Sequence, residues 1–277
     1  ACQPEVSDPV PNDPLFVQLD SEQTGLNFIN QVEDRADFNV FSYRNYYNGG
    51  GVAIGDVNGD ELPDIYFTAN MAPNKLYLNK GNWEFEDITE QAGVAGTKAW
   101  STGVAMVDIN ADGLLDIYVC NSGDVAGDNK ENELFVNQGD GKFSEQAAAY
   151  GLNDSGFSTH ASFFDYDLDG DLDCYLLNNS FKDPRRMRLD QTKRDQIDPM
   201  GGDKLFRNDG GRFTNVTTEA GIYGSADGFG LGVSVSDVNG DLLPDIYISN
   251  DFWERDYLYI NKGDGTFKEE LTKRLGL

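Results

Sequence analysis

An all-β fold built from a recurring four-stranded unit is what the sequence predicts, and three observations predict it. An acidic nine-residue segment occurs four times, a strand of alternating large and small residues precedes each copy, and an apolar hairpin follows it. With 31 Gly and 9 Pro in 277 residues the chain is rich in turns, which suits short strands better than long helices. Hydrophobic residues make up 39% and aromatics 12%, enough for a sizeable core despite a mean hydropathy of −0.50.

The strand before each acidic segment places Val52 and Ile54, Val104 and Met106, Ala161 and Phe163, and Val233 and Val235 on one face. The alternate positions are small: Gly51, Ala53 and Gly55, then Gly103 and Ala105, then Gly232, Ser234 and Ser236. Period-two alternation marks a strand, and a small-residue face suits backbones that converge on a narrow axis.

The acidic segments themselves are Asp56-Val-Asn-Gly-Asp-Glu-Leu-Pro-Asp64, Asp108-Ile-Asn-Ala-Asp-Gly-Leu-Leu-Asp116, Asp165-Tyr-Asp-Leu-Asp-Gly-Asp-Leu-Asp173 and Asp237-Val-Asn-Gly-Asp-Leu-Leu-Pro-Asp245. They start 52, 57 and 72 residues apart. Each leads into an apolar strand: Ile65-Tyr-Phe67, Ile117-Tyr-Val119, Cys174-Tyr-Leu176 and Ile246-Tyr-Ile248.

A third strand follows at Leu76-Tyr-Leu-Asn79, Leu134-Phe-Val-Asn137, Leu205-Phe-Arg-Asn208 and Leu258-Tyr-Ile-Asn261. A Gly-rich turn, as at Gly139-Asp-Gly141 or Gly263-Asp-Gly265, sends the chain back into a closing strand that opens on Phe85, Phe143, Phe213 or Phe267. Each unit ends in Gly plus an apolar residue: Gly93-Val94, Gly151-Leu152, Gly221-Ile222 and Gly276-Leu277. Four strands in roughly 50–70 residues make one blade of a β-propeller.

These loops, the strands behind them and the Leu-Tyr-x-Asn hairpins resemble FG-GAP/VCBS repeats, and the whole pattern is similar to bacterial surface relatives of the cartilage acidic protein (ASPIC/UnbV) group. The resemblance covers about Phe16 to Leu277 and implies an integrin-like β-propeller with a calcium ion in each inner hairpin loop. The family's usual Gly at loop position 6 is present as Gly113 and Gly170, but Glu61 and Leu242 stand there in the outer repeats, which carry Gly59 and Gly240 at position 4. Phe16 to Leu26 matches a closing strand ahead of the first loop, so closing strands outnumber inner hairpins. The expected architecture is therefore an open arc of four blades plus one strand, part of a larger, seven-bladed propeller. The expected units are residues 49–94, 101–152, 158–222 and 230–277, behind a flexible tether of residues 1–14.

Acidic oxygens this close repel one another unless a cation sits between them, and hard oxygen ligands at alternating positions suit calcium. The candidate ligands are Asp56, Asn58, Asp60, Leu62 and Asp64; Asp108, Asn110, Asp112, Leu114 and Asp116; Asp165, Asp167, Asp169, Asp171 and Asp173; and Asp237, Asn239, Asp241, Leu243 and Asp245. Positions 1, 3 and 5 offer side chains, position 7 a backbone carbonyl, and position 9 a carboxylate able to bind through both oxygens. The loops hold no His or Cys, so softer metals are disfavoured. The competing reading is a set of Asx turns that cap themselves. Up to four structural Ca²⁺ would shift the formal net charge from −27 toward neutrality.

That charge disfavours nucleic acid, since it repels phosphate backbones. No apolar run is long enough to span a bilayer. Ala1-Cys2 ahead of a polar, Pro-containing stretch reads as the lipid-anchored start of a bacterial lipoprotein, or as an ordinary terminus. Cys120 and Cys174 lie in apolar strands and read as small buried thiols. His160, the one histidine, takes the place of Gly51, Gly103 and Gly232; it lies either in a central channel or in a local packing niche. Without a second histidine or a nucleophile motif, a Ser/His/Asp triad is excluded and no catalytic residue is assigned.

The insertion 182–200 holds Arg185, Arg186 and Arg188, either a solvated loop or a docking loop for an acidic partner or glycan. Tyr66, Tyr118, Tyr175 and Tyr247 read as packing between blades rather than as a sugar platform, whereas Trp100, Phe252 and Trp253 are loop residues better placed to contact a ligand, with Asn250 to Trp253 equally readable as a buried corner. The functional expectation is a non-enzymatic, calcium-binding module of the cell surface or bacterial outer membrane that binds or scaffolds a protein or glycan. The alternative is a carbohydrate-active enzyme, a propeller lyase or glycosidase.

Overall fold

In the computed structural model, which describes residues 16–123, 129–181 and 193–275, the four sequence copies become four four-stranded antiparallel sheets. A helical turn, α1 (Ser21–Thr24), comes first. The first sheet runs β1 (Val52–Gly55), β2 (Asp64–Phe67), β3 (Lys75–Asn79) and β4 (Phe85–Asp87), followed by α2 (Thr89–Ala92). The second runs β5 (Ser101–Val107), β6 (Asp116–Asn121), β7 (Glu133–Asn137) and β8 (Phe143–Glu145), followed by α3 (Ala147–Tyr150). The third comprises β9 (Ser158–Phe164), β10 (Asp173–Asn178), β11 (Lys204–Asn208) and β12 (Phe213–Asn215). The fourth comprises β13 (Gly230–Ser236), β14 (Asp245–Asn250), β15 (Tyr257–Asn261) and β16 (Phe267–Glu269), with α4 (Leu271–Leu275) behind it.

Within each sheet the strands lie in chain order, as the blade pattern requires. Gly55 pairs with Asp64, Val107 with Asp116, Phe164 with Asp173 and Ser236 with Asp245, so every acidic loop is the connection between a first and a second strand.

The first strands stand side by side. A Cβ built on Gly51 would come within 3.1 Å of the Gly103 Cα, and one on Gly103 within 3.0 Å of the His160 Cα. Backbones this close tolerate only small residues, which is the physical meaning of the small-residue face.

The core lies between the sheets. Tyr66, Leu76 and Val94 of the first pack on Ile117, Val119 and Phe135 of the second; Tyr118, Cys120 and Leu134 pack on Cys174, Leu176 and Phe206 of the third. Tyr175, Leu177 and Leu205 then pack on Ile246, Ile248 and Tyr257 of the fourth. No such cluster joins the fourth sheet to the first among the described residues: Val52 and Ile54 remain 52% and 63% exposed, and Tyr247 is 36% exposed. The sheets form an open, propeller-like arc.

The tyrosine stripe is packing in three of its four members. Tyr66, Tyr118 and Tyr175 are fully buried, with hydroxyls donating to Val94 O, Leu152 O and Asp203 Oδ2. Tyr247 is the same residue on a face that no further sheet covers among the described residues. Cys120 and Cys174 are buried free thiols whose pKa values burial pushes up.

The expected strand at Phe16 to Leu26 does not form. Phe16 is exposed, Asp20 caps α1 by accepting the Gln23 amide at 2.9 Å, and Gly25 ends the turn at φ 75°. A closing strand pairs with the third strand of its own sheet, as β4 does with β3, and the described residues offer no such neighbour here. Its place in the pattern is nevertheless kept. Gly25 abuts the carbonyl of Phe85 as Gly151 abuts that of Phe213 and Gly221 that of Phe267.

Downstream of α1, Phe28 stacks on Phe67 at 4.7 Å, and Phe38, Tyr43 and Tyr46 enclose Trp100. The Arg44 guanidinium lies 4.9 and 5.0 Å from the Phe229 and Phe252 rings and donates to Asn179 Oδ1. The segment before the first sheet thereby reaches the third and fourth.

Candidate functional site

Each acidic loop is organised around its first aspartate. Its Oδ2 accepts the amide of position 6: Glu61 to Asp56 at 2.7 Å, Gly113 to Asp108 at 2.9 Å, Gly170 to Asp165 at 3.0 Å and Leu242 to Asp237 at 2.8 Å. Its Oδ1 accepts the amide of position 5 in all four copies, at 3.1–3.2 Å. The side chains of Asp60, Asp112, Asp169 and Asp241 then accept the amide two residues on, at 2.9–3.0 Å.

The backbone repeats as closely. Position 6 takes positive φ whether it is Glu61 (67°), Gly113 (89°), Gly170 (100°) or Leu242 (70°). Position 4 does likewise at Gly59 (76°), Ala111 (58°), Leu168 (63°) and Gly240 (81°). Every loop thus has two left-handed residues and one glycine, and the repeats differ only in which of the two positions it occupies. An L-residue there costs roughly 1–2 kcal/mol, so each loop holds one strained residue.

The ninth residue closes the loop from inside the blade. Asp64, Asp116, Asp173 and Asp245 are buried, and each accepts an amide from its own loop: Val57 at 2.9 Å, Ile109 at 3.0 Å, Tyr166 at 2.9 Å and Val238 at 3.1 Å. The other oxygen accepts the amide that ends the third strand, from Asn79, Asn137, Asn208 or Asn261 at 2.7–2.9 Å. Those asparagines also tie loops together. Asn137 Nδ2 donates to Val57 O of the preceding loop at 2.8 Å, and Asn261 Nδ2 to Tyr166 O at 2.7 Å.

Charge is concentrated most in the third loop. Asp165, Asp167 and Asp173 bring one carboxylate oxygen each to within 4.8 Å of one another. Asp167 Oδ1 is buried and has no hydrogen-bond partner, an arrangement that costs free energy unless a cation completes it. Burial, then the neighbouring Asp169 and Asp165 carboxylates, raise the Asp167 pKa. Burial also pushes Asp173 up to about 7 and Asp116 up to about 6, against the backbone amides that stabilise their ionised forms. This donor set of hard oxygens fits calcium.

His160 lies on β9, half-buried, its pKa lowered by burial, and it lines a cavity among the inner strands. Trp100 was expected to be open to a ligand and is instead 3% exposed, because Phe38, Tyr43 and Tyr46 fold over it. Phe252 and Trp253 remain exposed, although Arg44 lies over the Phe252 ring and Phe229 packs against it. Cys2, Arg185, Arg186 and Arg188 lie outside the described residues.

One recurring position was not found from sequence. Asn74, Asn132, Asp203 and Asp256 precede the third strand and accept the amides of Ala69, Asn121, Asn178 and Asn250 at 2.8–2.9 Å. Asn132, Asp203 and Asp256 also bond the blade's stripe tyrosine. Its only signal was an amide or carboxylate shortly before each Leu-aromatic pair.

The sequence has counterparts among known proteins. A model of FG-GAP-like repeats matches residues 56–119 and 124–176. Cartilage acidic protein 1 of Xenopus tropicalis is 28% identical over 211 residues, or 74% of this chain and 29% of that protein. The Mus musculus and Homo sapiens proteins are 27% and 26% identical over 214 residues. Residues 56–119 and 124–176 thus resemble FG-GAP-like repeats, and the chain spans less than a third of the length of these relatives. Among solved structures, an Agrocybe aegerita lectin that recognises non-reducing terminal N-acetylglucosamine is similar over 78% of this chain and 49% of its own, at 19% identity and a TM-score of 0.40.

Proposed function

We propose that this chain is a calcium-stabilised β-propeller module of an extracytoplasmic surface, which binds or scaffolds a protein or glycan partner and catalyses no reaction. The observation that carries the calcium reading is the partnerless Asp167 Oδ1 beside Asp165 and Asp173, in a loop whose backbone recurs three more times. Positions 1, 3, 5, 7 and 9 of each loop are the proposed ligands, for up to four ions. Each ion would join the first and second strands of a blade and offset repulsion among its carboxylates. At a calcium concentration about 100-fold above the dissociation constant, one site adds roughly 2.7 kcal/mol.

The surface assignment rests on similarity to cartilage acidic protein 1 and on the acidic repeats themselves. A lipid anchor at Cys2 and a place in a bacterial outer-membrane assembly extend it, as does completion of the arc to seven blades in the intact protein. The uncovered Val52 and Ile54 face of the first sheet, and the Tyr247 face of the fourth, suit that completion. Against a lyase or glycosidase, the first and ninth carboxylates of every loop are already engaged by backbone amides, which does not suit an acid and base pair.

The test is thermal unfolding of the full chain in calcium and in chelator. Calcium is expected to raise the melting temperature by at least several degrees, and magnesium to do so far less. A melting temperature indifferent to chelator would overturn the calcium reading. Co-purification from solubilised native membranes in both conditions then tests the module reading, with a stoichiometric partner lost in chelator as the expected result.

A further inference from the structure

Where the inner strands β5, β9 and β13 meet residues 49–51 just ahead of β1 and the segment carrying Tyr43, they line an open cavity of about 460 Å³. That size lies within the range of small-molecule sites. In a chain of net charge −27, its described lining contains no carboxylate and no cationic side chain. The wall is instead amide, hydroxyl, imidazole, glycine backbone and the aromatic edges of Tyr43 and Trp100.

Three polar side chains on that wall, Asn45, Asn48 and His160, make no hydrogen bond among the described residues. His160 is the telling one. The other repeats hold Gly51, Gly103 and Gly232 at this position, and its ring fits only because Gly103 faces it: a Cβ there would lie 3.1 Å from His160 Nδ1. The third sheet thus places an imidazole where the other three repeats carry glycine, and nothing in the described structure hydrogen-bonds its nitrogens.

We propose that this axial cavity binds a neutral, hydroxyl-rich ligand of saccharide size, oriented by the His160 imidazole and the Asn45 amide. The proposal deepens the module reading and rests on it. A charged ligand would lose its hydration with no counter-charge on the described wall, which is costly. Hydroxyl groups both donate and accept, and so match a neutral imidazole with one donor and one acceptor and an amide with both. Burial, which lowers the His160 pKa, keeps that ring neutral near pH 7. Leu231, which is exposed, supplies apolar surface for the less polar face of a pyranose.

The experiment uses the full chain in calcium, with saturation-transfer NMR and calorimetry. Glucose, galactose, mannose and lactose are the neutral probes, and glucuronate and spermidine the charged ones. At least one neutral sugar is expected to bind saturably and neither charged probe to do so. Affinity should fall tenfold or more in His160→Gly and in Asn45→Ala. His160→Gly restores the residue of the other three repeats and should fold normally, which circular dichroism checks. The proposal is overturned if no neutral sugar binds, if a charged probe binds better, or if His160→Gly binds as tightly as the parent. Absent sugar binding in a protein that calcium still stabilises sinks the cavity alone; sugar binding without a calcium effect on melting sinks the calcium reading alone.

Discussion

Asp173 and Asn208 are 35 residues apart in sequence, yet the Asp173 carboxylate accepts the Asn208 backbone amide at 2.8 Å. The same carboxylate accepts the Tyr166 amide at 2.9 Å, so one side chain joins the acidic loop to the end of the third strand. Removing it orphans two buried amides, at roughly 1–3 kcal/mol each. Asp173→Ala should therefore cost about 3 kcal/mol in chelator and more in calcium, measured by urea denaturation. Asp173→Asn retains one acceptor oxygen and should cost less. Equal losses with and without calcium would leave Asp173 a structural strut and remove it from the ligand set.

The two left-handed positions in each loop predict an unusual pattern of glycine effects. Leu242→Gly and Glu61→Gly relieve a positive φ and should each stabilise the protein by about 0.5–1 kcal/mol. Gly113→Ala and Gly170→Ala should destabilise by about 1 kcal/mol, although a Cβ at either meets nothing within 4 Å. Because no packing changes, chemical denaturation of these four variants isolates the backbone contribution. Destabilisation by Leu242→Gly would mean that the leucine side chain does more than occupy a strained turn.

The acidic loops were legible because the chemistry is written in the side chains, and the strands around them because their alternation is strict. Trp100 was misread because what buries it lies far upstream: Phe38, Tyr43 and Tyr46 belong to a segment with no repeat and no periodicity. The Phe16 motif gave the right place and the wrong element, since a strand needs a hydrogen-bonding neighbour as well as a pattern. Glu61 and Leu242 concealed the common loop backbone because the glycine moves between positions 4 and 6. Asp203 was passed over because its counterparts Asn74 and Asn132 are amides, and no single residue type marks the position.

Asp203 gives the protein a pH dependence that those counterparts do not. Burial pushes its pKa up to about 7, against the amide of Asn178, the Tyr175 hydroxyl and the nearby Lys204. A carboxyl whose folded pKa lies above its unfolded value near 4 stabilises the fold fully below that value and loses the contribution as pH rises through about 7. Asp203→Asn supplies the amide that Asn132 supplies in the second sheet and should remove this dependence. In saturating calcium, so that the loop carboxylates do not titrate, the parent should lose roughly 2–4 kcal/mol relative to the variant between pH 4 and 8. Parallel stability curves for the two proteins would show that Asp203 stays ionised throughout.

The glycines that end the blades separate a backbone cost from a contact cost. Gly93 and Gly151 both have positive φ, 75° and 82°, so alanine meets the same conformational penalty at each. They differ in what a Cβ would touch: the Phe143 carbonyl oxygen at 3.7 Å from Gly93, an ordinary contact, and the Phe213 carbonyl oxygen at 2.7 Å from Gly151, which is an overlap. Gly93→Ala should cost about 1 kcal/mol, the backbone penalty alone. Gly151→Ala must also push the third sheet's closing strand away from the second, and overpacking of this kind typically adds 1–3 kcal/mol. If the two variants melt alike, the interface between the second and third sheets is loose enough to yield at β12, and the close approach of Gly151 does not hold those sheets in register.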